Sequence, residues 1–124
     1  MLVIVRQDFD LPGKNLPATA QVLTEHFTRL LHRDHLTQAF AGVIYNTRHG
    51  RSKHLLTVQI DVTARDTTTG LATALNTIRD AFRLLPTALP EQFTGAETER
   101  LATVIIGSDD LHVTTRTGTG KFPA

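Results

Sequence analysis

The densest group of chemically active side chains lies near the middle of the chain, between two predicted strands. Five basic or titratable residues occupy seven positions: Arg48, His49, Arg51, Lys53 and His54. A cluster of this kind can contact phosphate or an acidic protein surface. It can equally be a solvated hairpin tip whose charges prevent pairing with other chains. These five residues are the candidate partner-binding site, and solvation is the competing interpretation.

Two histidines near the end of the first predicted helix could share a metal ion. His32 and His35 are separated by one helical turn, and Asp34 or Glu25 could add a carboxylate ligand. The negative end of the helix macrodipole also attracts cationic side chains, and this explains the same histidines together with the arginines beside them. We favour the second explanation and predict no metal ion and no cofactor.

Two pairs of carboxylates are the remaining candidates for acid–base chemistry. Asp8 and Asp10 follow the first predicted strand, and Asp109 and Asp110 lie in the last predicted turn. Paired carboxylates act as acid and base only when burial or mutual repulsion separates their pKa values, and turn residues are usually exposed. We therefore predict turn formation for all four, no catalytic residue and a non-enzymatic protein.

Composition limits the class of protein. The chain has 124 residues, of which 40% are hydrophobic and 20% charged, as in an ordinary globular domain. Its net charge of +1 gives no overall field that would attract nucleic acid or an anionic membrane. The lack of cysteine excludes disulfides, thiolate metal sites and a cysteine nucleophile. No apolar run approaches the length that spans a bilayer, so we expect a cytoplasmic protein.

The hydrophobic pattern predicts the elements that position these residues. Apolar residues at helical spacing predict one helix over residues 16–35 and a second over 66–85. The predicted strands cover residues 2–5, 40–45, 56–62, 101–106 and 111–115. The polar segment 46–54, centred on Gly50, predicts a hairpin connection, so the strands on either side of it should be antiparallel.

This order of elements predicts an α+β fold of the ferredoxin-like βαββαβ type with an extra C-terminal strand. Two helices should cover one face of a mostly antiparallel sheet, and Thr57, Gln59 and Asp61 should line a wet face. Residues 1–116 are expected to form a single domain, and residues 117–124 a mobile tail. A fold shared by many proteins does not by itself define a function.

Residues 55–82 resemble the strand–helix core of bacteriophage tail terminator or tail completion proteins. An alternating strand leads through Ala64-Arg-Asp-Thr into a helix of the Gly70-Leu-Ala-Thr-Ala-Leu type, and the polar hairpin precedes that strand. Members of that family are small non-enzymatic α+β proteins that form a ring, commonly a hexamer, on the end of the tail tube. The resemblance implies a structural homo-oligomer that binds another protein and is located in a virion.

The chain is also similar to the tautomerase superfamily, in particular to the carboxymethyl-hydroxymuconate isomerases, because it begins with a strand and repeats the strand–helix–strand order. Those proteins assemble as trimers and use an N-terminal proline as a base. Here Met1 is followed by Leu2, so that catalytic residue is not carried over. This resemblance implies a small-molecule-binding oligomer or minor enzyme, which stands as an alternative beside binding of an anionic partner by the 48–54 hairpin.

Overall fold

The computed structural model describes residues 1–31, 36–48, 50–104 and 111–116. In these ranges the chain is α+β, as the sequence predicts. The elements, in chain order, are β1 (Leu2–Phe9), α1 (Leu16–Leu30), β2 (Leu36–Arg48), β3 (Arg51–Thr63), α2 (Thr67–Phe82), α3 (Leu85–Ala88), α4 (Gly95–Val104) and β4 (Leu111–Arg116). The described helices include none that is both long enough and apolar enough to cross a membrane.

The four strands form one sheet in the order β2-β3-β1-β4, and each strand is antiparallel to its neighbours. The two central strands, β1 and β3, pair from Leu2 opposite Thr63 to Phe9 opposite Leu56. Strands β2 and β4 are therefore the two edges. The predicted antiparallel pairing of the strands that flank the basic cluster is confirmed.

One face of the sheet carries the hydrophobic core. Val3 and Val5 of β1 and Val58 and Ile60 of β3 are fully buried on this face. The helices contribute further fully buried side chains, namely Leu23, Phe27, Ala74, Ile78, Ala81 and Phe82. Because side chains alternate along a strand, the residues between these positions lie on the opposite face of the sheet.

Both long helices begin at capping side chains that the sequence contains. The side-chain oxygen of Asn15 accepts a hydrogen bond from the backbone N–H of Ala18 at 3.1 Å, and that of Asp66 accepts one from Thr69 at 2.7 Å. The two predicted helices are thus confirmed over Leu16–Leu30 and Thr67–Phe82. Residues 32–35, in the last turn of the first predicted helix, lie outside the described ranges.

The strand predicted at residues 101–106 is wrong over residues 101–104, which end helix α4. A reciprocal capping box starts this helix: the Thr94 hydroxyl accepts from the backbone N–H of Glu97, whose carboxylate accepts from the N–H of Thr94, both at 3.1 Å. The rest of that predicted strand, the turn with Asp109 and Asp110, and the tail 117–124 lie outside the described residues. Within those residues the sheet has four strands and no fifth.

The β2–β3 hairpin is longer and more regular than predicted. The two strands stay in register through Tyr45 opposite His54 and Asn46 opposite Lys53, up to Arg48 opposite Arg51. The connection is short because Gly50 adopts a φ of 74°, which a glycine reaches without steric cost. The hairpin predicted over residues 46–54 is therefore confirmed, but its connecting segment is shorter than predicted, because residues 46–48 and 51–54 belong to the two strands.

Candidate interaction site

The outer part of the β2–β3 hairpin is a two-stranded projection. Strand β1 pairs with β3 only as far as Leu56, so residues 51–55 of β3 pair with β2 alone. We call residues 44–48 and 51–55, with the turn between them, the arm. A two-stranded hairpin is marginally stable by itself in water. Within the chain, the arm is also held by Leu55, which is fully buried, and by the ion pair of Lys53 with Asp10.

The clearest side-chain contact on the arm joins two rings. The Tyr45 and His54 rings are tilted by 54° and their centroids are 4.7 Å apart. Tyr45 nevertheless has 65% of its surface exposed, and the neighbouring Val43 has 36% exposed. Both residues lie on the same face of β2, because they are two positions apart. The arm therefore offers an exposed apolar and aromatic surface beside its basic residues.

The arm carries the predicted partner-binding residues, but not all of their positive charges are equally able to contact a partner. The ammonium group of Lys53 contacts the Asp10 carboxylate at 2.7 Å, which neutralises it on the surface. Arg51 is exposed beside the turn, and Arg48 lies opposite it in the register. His49 lies outside the described residues. Because Lys53 is paired with Asp10, the positive charge left for an anionic partner is smaller than the sequence predicts.

Strand β2 is an edge with little of the protection that natural edge strands carry. Residues 36–47 include no charged residue and no proline, and Phe40 has 38% of its surface exposed. In the described part of the chain, no strand pairs with the outer side of β2. The Thr24 hydroxyl of α1 donates to the Ala41 carbonyl at 3.2 Å, so the helix covers part of this edge. A long, uncharged edge is a template for pairing with another strand.

The sheet face opposite the core holds buried polar side chains. Arg6 donates two hydrogen bonds of 3.1 Å to the carboxylate of Asp8, which is only 4% exposed. Gln59 donates to the buried carboxylate of Asp61 at 3.0 Å. The prediction that Asp8 is an exposed turn residue is wrong, since β1 continues to Phe9. The two hydrogen bonds from Arg6 satisfy this buried carboxylate.

Thr57 lies next to Asp8 in the sheet and is 6% exposed, so the predicted wet face is wrong at this residue and at Asp61. Among the described residues, no group forms a hydrogen bond with the Thr57 hydroxyl. Its other neighbour in the register is Gly42 of β2. A side chain added at Gly42 would meet no described atom within 4 Å of its Cβ. The sheet face therefore has a gap beside the edge strand.

A groove of about 830 Å³ runs beside α2 and is the place where a small molecule could bind. Threonine hydroxyls line it, and those of Thr73 and Thr77 donate to backbone carbonyls one turn earlier, at 3.0 and 2.7 Å. Its carboxylate, Asp80, forms an ion pair with Arg83 at 3.2 Å. Arg65 also lines the groove, so its described lining combines hydroxyl groups with a positive charge and offers no pair of carboxylates for acid–base chemistry.

Three of the four candidate metal ligands cannot be placed, because Asp34 lies with His32 and His35 in a segment that the structure does not describe. The described residues include no group of three His, Asp or Glu side chains placed to hold a metal ion. On α1, burial and the nearby Arg29 lower the pKa of His26 against the opposing charge of Asp80, so this imidazole is mainly neutral at pH 7.

Comparison with protein-family models, with curated proteins and with solved structures gives no match. The class that the geometry defines is therefore an α+β domain with an uncharged edge strand and a projecting arm. Sequence reasoning named the charges of the arm and missed the edge strand beside them. The sequence feature that could have indicated this edge is the lack of charged residues over residues 36–47. It indicates a site for strand pairing only once β2 is known to be an edge strand.

Proposed function

We propose that this chain is a non-enzymatic assembly module that forms a closed homo-oligomer through its β2 edge. The observation that carries the proposal is the edge itself, with twelve consecutive residues, 36–47, that include no charge and no proline. Its outer backbone groups can accept a further strand, and its exposed apolar side chains would then be shielded from water.

A second copy of the chain fits this edge better than an unrelated protein. Specific partners are usually selected by complementary charges, and residues 36–47 offer none. A strand of the same sequence brings no unpaired charge to the contact. Self-association of folded chains usually resolves into closed point-group symmetry, which limits the oligomer to a defined size.

The finer assignments belong to the same proposal. The strand order β2-β3-β1-β4, with two long helices, supports a ferredoxin-like arrangement. A ring-forming structural role of the phage-tail type would place the arm at subunit boundaries, in a virion or in the cytoplasm before assembly. The exposed Arg51 would then be available to an acidic surface of another protein.

Lysine substitutions at apolar positions of similar exposure test the proposal. Val43 on β2, Leu84 after α2 and Val113 on β4 have 36%, 37% and 40% of their surfaces exposed. A lysine on an edge strand hinders strand addition. We expect Val43→Lys to lower the mass measured by light scattering to that of a monomer, and Leu84→Lys to leave the oligomer unchanged. An oligomer that survives Val43→Lys at every protein concentration would refute the role of the edge.

A further inference from the structure

Resting on the proposed function, we infer that the partner of β2 is β2 of a second copy, in an antiparallel arrangement about a two-fold axis at Tyr45. The two arms then form one four-stranded ribbon in the order β3-β2-β2-β3. This arrangement gives each marginal two-stranded arm the neighbours that a stable sheet requires. It makes the dimer the building unit of any larger ring.

The axis position follows from which part of β2 lies away from the contact with helix α1. The contact between Thr24 and the carbonyl of Ala41 covers the middle of the strand, whereas the arm lies farther along it. Within the arm Tyr45 is the most exposed apolar side chain, at 65%. An axis here puts Tyr45 against Tyr45 of the second copy. The four rings of two Tyr45–His54 contacts would then lie in one row, and aromatic pairs across strands are stabilising.

The position of Arg48 and the space beside Gly42 are both compatible with an axis at Tyr45. An axis at Tyr45 places Arg48 opposite Gly42 of the second copy, and a Cβ added at Gly42 would meet no described atom within 4 Å. The two Arg48 positions would be six residues apart along the ribbon, about 20 Å at the usual rise of a strand. That separation exceeds the screening length at physiological salt, about 8 Å, so their repulsion is small. A parallel arrangement would place the two arginines together.

Pairing of β2 with β4 of a neighbouring copy is the competing arrangement. β4 is six residues long, Leu111–Arg116, and the axis at Tyr45 brings residues 42–48 of β2 together, so length does not separate the two arrangements. Symmetry does: pairing with β4 would be head-to-tail, so both edges would be needed for every contact. Val113→Lys would then reduce the mass as Val43→Lys does, whereas the two-fold arrangement predicts no effect of Val113→Lys.

Cysteine cross-linking tests the register directly, because the natural chain contains no cysteine. Residues directly opposite in antiparallel strands have Cα atoms about 4.5–5.5 Å apart, within the range of a disulfide. We expect Tyr45→Cys under mild oxidation to give a covalent dimer as the main species, and Val113→Cys to give little. The double variant Ile44→Cys/Asn46→Cys, which keeps Tyr45, should cross-link more than either single variant.

The outcomes separate this inference from the proposed function. If light scattering shows an oligomer that Val43→Lys dissociates, but neither Tyr45→Cys nor the double variant cross-links, the two-fold register is wrong and the edge function stands. If the natural chain is monomeric at all concentrations, the proposed function fails as well. A covalent dimer that forms only in denaturant would be a random collision and would also overturn the register.

Discussion

Tyr45 and His54 face each other across the β2–β3 hairpin, with their ring centroids 4.7 Å apart. The contact lies in the arm, where β3 pairs with β2 but no longer with β1. It leaves most of the tyrosine side chain exposed. Burial of an aromatic ring at an interface contributes more than burial of most other side chains. The same pair that orders the arm therefore also supplies the surface through which we propose that two copies meet.

Replacement of Gly70 should destabilise the fold. A Cβ at this position of α2 would lie 2.5 Å from Cγ2 of the fully buried Val3 of β1. Overpacking of this kind usually costs about 1–3 kcal/mol. We expect Gly70→Ala to lower the free energy of unfolding by an amount in this range, measured by urea denaturation.

Gly95→Ala is the matched control for that variant. Gly95 also lies in a helix, α4, and a Cβ there would meet no described atom within 4 Å. Its replacement should be neutral or stabilising by up to about 1 kcal/mol. Equal destabilisation by both variants would contradict the close packing of α2 on β1.

The cap of α2 predicts a pH dependence of stability. The backbone N–H of Thr69 donates to the Asp66 carboxylate and lowers the pKa of this group below its ordinary value of 3.8. A carboxyl with a lowered pKa in the folded state stabilises fully above its ordinary value, and the contribution is lost as the pH falls through the folded-state pKa. We expect the natural chain to be more stable than Asp66→Asn at pH 7.

Asparagine also caps helices but does not titrate, so Asp66→Asn isolates the charge. The difference in the free energy of unfolding between the two proteins should shrink below about pH 4 and disappear at lower pH. Thermal or urea unfolding between pH 2.5 and 7 measures this. A difference that stays constant across that range would show that the charge of Asp66 does not contribute.

Lys14 should anchor α4 and the segment before it. Its ammonium group donates to the backbone carbonyl of Gln92, contacts the Glu97 carboxylate at 2.9 Å and lies 4.8 Å from the centre of the Phe93 ring. Phe93 is 2% exposed, so the lysine covers a buried ring. Hydrogen bonds and cation–π contacts of a partly buried cation are each worth about 1–2 kcal/mol. We expect Lys14→Met to cost about 1–3 kcal/mol in urea unfolding.

Lys53→Met provides the comparison. Lys53 makes one ion pair, with Asp10, and both side chains are more than a third exposed. Exposed pairs of this kind contribute about 0–1 kcal/mol. Hydrogen exchange should show faster opening of α4 in Lys14→Met than in Lys53→Met. If the two variants behave alike, Lys14 is not an anchor.

The helices were predictable because their signals are local. Asp66 caps α2 from the adjacent position, and apolar residues recur at helical spacing up to Phe82. The capping box of Thr94 and Glu97 is just as local, but the β-branched run that follows it favoured a strand. When a helix cap and a β-branched run compete in this way, tertiary packing decides between helix and strand, and a single sequence does not show that packing.

The strand ends were not predictable, because their causes lie on other strands. Residues 46–48 and 51–54 look like a loop when read alone, yet each has a partner in the register across the hairpin, as in the Tyr45–His54 contact. Likewise, Asp8 looks like a turn residue until Arg6 is seen beside it. The candidate site could not be predicted for the same reason. The lack of charge on β2 indicates a binding edge only when the strand order is known, and that order depends on the other strands.

The measurement that tests the account most directly is the solution mass of the natural chain by light scattering on a sizing column, over a wide range of concentrations. Assembly through a two-fold β2 contact predicts an even number of 13.7 kDa chains, as a dimer or as a ring built from dimers. A single species at the mass of one chain at all concentrations, or a stable trimer, would contradict it.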